Sequence, residues 1–192
     1  MMKITLLMFV MLLSATTAYA EPSGNTQRQE EVAVRGRHVM PFDLEKTLHI
    51  FEKTPQGGLQ QVIAKDAGDS EQINLIRRHL AQLAKRFTAG DFAGPRRIHG
   101  DTMPGVQALA NAGGKVRFVY QELANGAEIE YVAEDSALID AIHQYFDAQL
   151  NDHARHAVDS KTKQCLHDTH QPQSSMPSQQ GQHDAESTDS QE

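Results

Sequence analysis

A hairpin followed by an amphipathic helix occurs twice in this chain, and that doubled order limits the fold more than any other feature. Residues 47–53 alternate as a strand, Pro55, Gln56, Gly57 and Gly58 supply a turn, and residues 59–65 run back as a second strand. Past Asp66-Ala67-Gly68-Asp69-Ser70, which offers several helix caps, Ile73, Ile76, Leu80, Leu83 and Phe87 recur at three- and four-residue spacing and mark the apolar stripe of a helix ending at Gly90. The order then repeats. Residues 116–122 and 127–133 read as strands around the Asn125-Gly126 turn, and Asp135-Ser136 caps a helix whose stripe is Ile139, Ile142, Phe146 and Leu150. Strands polar on alternate positions and helices apolar on one side must cover each other. The simplest arrangement is an α+β domain, a four-stranded antiparallel sheet with both helices packed on one face. Residues 62–66 also match residues 131–135 in kind (VIAKD against YVAED). The two units are either an internal duplication or two instances of a common local order, and both lead to the same architecture.

The ends differ in composition. Residues 1–20 carry one lysine, an apolar run from Ile4 to Leu13 and the small-x-small pattern Ala18-Tyr19-Ala20, the form of a secretory signal peptide cleaved near Ala20. The run is too short to span a bilayer, so a protein of the periplasm or the exterior, without membrane insertion, is expected. Residues 21–35 read as a flexible segment, 36–157 as a single domain, and 158–192, rich in Gln, Ser, Asp and His, as a disordered polar tail. Loss of Lys3 with the leader leaves 17 of the 18 basic residues against 25 acidic ones, a net charge of −8 with histidine neutral. Such a chain, with no basic cluster, is a poor partner for nucleic acid. Cys165 is the one cysteine, which excludes an internal disulfide.

Ten histidines remain to be sorted. His38 reads as solvated, and His79 and His143 as structural residues at the edges of helical stripes. His49 differs. Overlaying the hairpins sets it opposite Phe118, which faces inward with Val116 and Tyr120, and overlaying the helices sets His153 opposite Phe87. In each unit one imidazole thus replaces an aromatic ring on the buried face. A buried imidazole needs a partner: a carbonyl, a water, Asp147 or Asp152, or a metal ion. His156 joins His153 on one face if the helix continues, and the loop IHGDTMPG brings His99 and Met103 together ahead of a short helix begun just after Met103, with Pro104 in its first turn. The expected metal ligands are therefore His49, His99, Met103, His153 and His156. Imidazole with thioether favours a copper ion, with zinc the second choice. The cluster Cys165, His167, His170, Met176 and His183 is a separate, weaker donor set in the tail.

The segments Met40-Pro41-Phe42-Asp43-Leu44, Thr47-Leu48-His49, Gly57-Gly58-Leu59-Gln60, Gly90-Asp91-Phe92, His99-Gly100 with Met103-Pro104-Gly105, and Phe146-Asp147-Ala148-Gln149-Leu150 with Asp152-His153 resemble a family of small exported bacterial proteins of poorly characterised function. Some of these carry an aspartate carbamoyltransferase label. The resemblance covers residues 35–157 and implies an exported domain with those boundaries. It does not carry the labelled activity, because the chain has no Ser-x-Arg-Thr phosphate loop and no His-Pro pair. No nucleophile with its base and no phosphate cradle stands at a workable spacing either. The expected function is metal handling or tolerance, copper first, with a periplasmic protein as a further possible partner. The alternatives are a metal-free binding or interaction module with structural histidines and, last, an enzyme of unknown reaction.

Overall fold

The computed structural model describes residues 24–162, and the leader, Cys165 and the other tail donors lie outside them. The fold is α+β. Strands β1 (Thr47–Thr54), β2 (Gly57–Ala64), β3 (Val116–Leu123), β4 (Gly126–Ala133) and β5 (Ala157–Asp159) form one sheet in the order β3-β4-β2-β1-β5. Both hairpins close where expected, and their inner strands β2 and β4 pair antiparallel from Gly57 against Val132 to Ile63 against Gly126. The expectation of four antiparallel strands needs one correction. A fifth strand, β5, adds to the outer edge parallel to β1, with His49 against Ala157, so the sheet is mixed.

Helices α2 (Ser70–Thr88) and α5 (Ser136–His153) follow the two hairpins and cover one face of the sheet. Each begins on an aspartate that satisfies an orphan amide: Asp69 accepts from Gln72 N at 3.1 Å, and Asp135 from Ala137 N at 2.8 Å. The α2 stripe buries Ile73, Ile76, Leu80 and Phe87 as expected. On α5 the buried face is wider, taking in Leu138, Tyr145 and Gln149, while Ile139 and Leu150 are half-buried. The reason is that α5 is covered twice, by the sheet below and by α1 and α4 above.

Helix α1 (Gly24–Val39) replaces the flexible segment expected before the fold. Only Val32 and Gly36 of this helix are buried, so its composition gives no amphipathic stripe. It is held instead by side-chain bonds: Arg28 to Asp152, Arg35 Nε to Ile98 O at 2.7 Å, and Gln29 to Asn151 O at 2.9 Å. Short helices α3 (Ala93–His99) and α4 (Val106–Ala110) complete the fold. Between them Gly100 at φ +92° and Gly105 at φ +74° make the bends, and a Cβ on Gly105 would stand 2.1 Å from Ala141 O. Among the described residues no helix is long and apolar enough to cross a membrane.

Candidate functional site

Strand β1 turns Thr47, His49 and Phe51 toward the helices, and all three are buried. His49 lies 5.2 Å from His153 of α5, the ring planes within 4° of parallel. His153 in turn meets His99, the last residue of α3, edge-on at 4.9 Å. Three imidazoles from three elements thus share one place between sheet and helices. At the equivalent place between the other hairpin and helix, Phe118 of β3 meets Phe87 of α2 at 5.5 Å, and Phe87 stacks on Phe92 at 4.1 Å. Both aromatic-to-imidazole replacements read from the overlay therefore fall at the same spot. One half of the domain sets phenyl rings where the other sets imidazoles, and the imidazoles border a cavity of about 260 Å³ lined by His49, His79, His99 and His153 among others.

The hydrogen bonds of these rings differ. His99 Nδ1 donates to Asp152 Oδ2 at 2.8 Å. Asp152 is also gripped by Arg28, through Nε at 2.6 Å and a second nitrogen at 2.7 Å. Burial alone would raise the Asp152 carboxyl, but the bonds from His99 and Arg28 outweigh it and hold the group below its ordinary value. Arg28 further donates to His99 O at 3.2 Å, so α1 fixes the ring's backbone as well. His49 has less support. Its Nδ1 is buried with no partner, the one such side-chain atom among the described residues. Burial pushes its pKa down to about 4, opposed by the main chain of His156. Burial likewise lowers His79 to about 4, aided by the Arg86 charge, and holds His153 well below its ordinary value with His49 beside it. His49, His79 and His153 are therefore neutral at pH 7, with lone pairs available.

The residues expected as ligands fall in different places. His49, His99 and His153 come together, but Met103 and His156 do not join them. Met103 is 3 % exposed and packs into the hydrophobic core, away from the cavity lining, because the chain turns at Gly100 after His99 instead of holding both residues in one loop. His156 is turned away because α5 stops at His153: Ala154 takes φ +46°, which breaks the helical face that would have carried both histidines. Its Nε2 reaches Glu45 at 3.0 Å instead, and Arg155 holds the same carboxylate, driving Glu45 down to about 2. Among the described residues, no group of three or more His, Cys, Asp or Glu is gathered tightly enough to hold a metal ion as it stands. His38 is exposed, in keeping with a solvated residue; of the two histidines read as structural, His143 Nε2 ties α5 to the first hairpin through Gly57 O at 2.9 Å, while His79 lines the cavity.

Several residues of the site had no legible sequence signal. Arg28 lies in a polar stretch that gave no helix. Asp152 was legible as a partner for a buried imidazole, but its partner is His99 from 53 residues away. Gln60, Tyr145 and Gln149 add polar groups to the cavity, with Tyr131 OH donating to Gln60 Oε1 at 2.5 Å beneath it. Comparison of the chain with known proteins finds no matching family model, no matching curated protein and no matching solved structure.

Proposed function

We propose that the protein binds a divalent transition-metal ion, copper or zinc, in the histidine cavity, with His49, His99 and His153 as ligands. The observation that carries this reading is the unpartnered Nδ1 of His49 in a cavity shared with two further imidazoles, at a place the other half of the domain fills with phenyl rings. An unsatisfied buried nitrogen costs about 1–3 kcal/mol, a cost that a bound ion removes. Asp152 behind His99 supports the same reading, since a carboxylate on the far nitrogen orients histidine ligands and raises their basicity. Without Met103 the donors are all imidazole, a set that suits copper(II) and zinc alike and gives copper(I) no advantage. Binding requires side-chain rotation that draws the three rings together, since as they stand no group of three or more donors among the described residues is gathered tightly enough for an ion. The leader-like composition of residues 1–20 supports an activity outside the cytoplasm, in metal handling or tolerance.

A second reading, a metal-free binding module for a small molecule, is favoured by the cavity's volume, which is far more than an ion occupies. Calorimetric titration of the full chain with Cu²⁺ and Zn²⁺ separates the two. The metal reading expects one tight site, lost in the His49→Ala, His153→Ala double variant and kept in Cys165→Ser. Absence of binding by the wild-type chain removes the metal reading and leaves the second. Loss in Cys165→Ser alone moves the activity to the tail.

A further inference from the structure

The two margins of the sheet end differently. On one side β5 adds to β1 over His49–Phe51. On the other, β3 runs for eight residues with no strand beyond it among the described residues. The direction of its backbone groups follows from the strands behind it. Ala64 N donates to Asn125 O and Ala133 N to Gln56 O, so the odd-numbered residues of β4 face β2 and the even-numbered ones face β3. The register of the second hairpin, with Arg117 against Val132 and Val119 against Glu130, then turns Arg117, Val119, Gln121 and Leu123 toward β4. Val116, Phe118, Tyr120 and Glu122 therefore present their N–H and C=O groups outward, along an open edge. The strand carries no proline, and its pairing with β4 has no bulge to bend the edge away. Its centre is apolar. Val119 is 41 % exposed, one of two large hydrophobic residues left exposed among the described residues, and Phe118 and Tyr120 on either side are half-buried.

We infer that β3 pairs with β3 of a second copy of this chain, antiparallel about a two-fold axis at Val119, so that two five-stranded sheets become one. Among antiparallel registers only this one gives every outward group a partner. It sets Val116 against Glu122 and Phe118 against Tyr120 of the other copy, each pair exchanging both backbone bonds. A slip of two residues leaves Val116 or Glu122 of each copy unmatched. The side chains agree with the register. Phe118, which touches Phe87 on the helix-covered face, gains a cross-strand aromatic partner there, Val119 meets its own copy on the opposite face, and Arg117 meets Gln121, so no like charges stand opposed. Such pairing is isologous and uses up the edge, so assembly stops at two copies. The histidine cavity takes its strand residues from β1 and β2, so this inference is independent of the metal reading.

Cross-linking reads the register directly. In a full chain carrying Cys165→Ser, Val119→Cys places two α-carbons about 4.5 Å apart across the axis, within disulfide range, whereas Gln121→Cys places them about 14 Å apart. In a glutathione redox buffer Val119→Cys should link into dimers at least about ten-fold faster than Gln121→Cys. At the same protein concentration the wild-type chain should sediment as a dimer and Val119→Lys, which opposes two charges at the axis, as a monomer with unchanged circular dichroism. Linking of Gln121→Cys as fast as Val119→Cys, or no linking by either, overturns the inference. So does a wild-type chain that sediments as a monomer.

Discussion

Replacing His49 and His153 together by phenylalanine should make the ion-free protein more stable. The double variant gives this seam the kind of pair that Phe118 and Phe87 form at 5.5 Å in the other half. Removing the unpartnered Nδ1 of His49 relieves a cost of about 1–3 kcal/mol. A buried aromatic pair adds about 0.5–1.5 kcal/mol beyond its area. Against this stands the loss of the His49 ring's interaction with the main chain of His156, about 1 kcal/mol. Room exists for the larger rings, since the cavity of about 260 Å³ adjoins both positions. The net expectation is a gain of about 1–3 kcal/mol, read in urea as a midpoint about 1 M higher at unchanged slope. Metal binding by the same variant should disappear. A variant less stable than the wild type by about 1 kcal/mol or more, with unchanged slope, would refute the reasoning. The imidazoles would then be structural residues that the fold needs and no ligand is required to explain.

Four further outcomes follow. Acid should destabilise the ion-free protein: His49 and His79 titrate at about 4 in the fold against an ordinary 6.5, so stability is complete above pH 6.5 and is lost as pH falls toward 4. At pH 4.5 the loss is about 2.5 kcal/mol for either histidine taken alone, measured by urea unfolding at pH 7 and pH 4.5. Arg28→Ala should weaken metal binding by about 10- to 100-fold through Asp152 and His99, read by calorimetry, while the far-ultraviolet circular dichroism of the domain is kept. Met103→Leu should leave metal affinity unchanged and cost under about 1.5 kcal/mol, since Met103 is a core residue here and the swap conserves volume. Gly105→Ala should cost more than about 2 kcal/mol by thermal unfolding, because its backbone is left-handed and the added Cβ meets Ala141 O at 2.1 Å.

What the sequence showed and hid divides along the range of the interactions involved. The two hairpins and the helices after them were legible because alternation, Asn125-Gly126, and the cap-forming residues at 66–70 and 135–136 are local signals. The same overlay correctly turned His49 inward and set His153 at an aromatic position, because side-chain direction in strands and helices follows from period alone. Helix α1 was hidden because it docks by Arg28, Gln29 and Arg35 rather than by an apolar face. Strand β5 was hidden because three residues joined to a strand edge carry no pattern of their own. His156 was misassigned because one residue, Ala154, adopts a backbone angle that alanine rarely takes, and nothing in Asp152-His153-Ala154-Arg155-His156 announces it. Met103 was misassigned because proximity in a loop sequence says nothing about which side of a bend each side chain takes.

The central claim is that three imidazoles, with no sulfur, form the metal site. X-ray absorption of the full chain loaded with one equivalent of Zn²⁺ or Cu²⁺ tests it most directly. The account predicts a nitrogen and oxygen shell at about 2.0–2.1 Å with the outer-shell scattering of about three imidazoles. A sulfur shell at about 2.3 Å, which only a methionine or Cys165 could supply, or a first shell without imidazole, would contradict it.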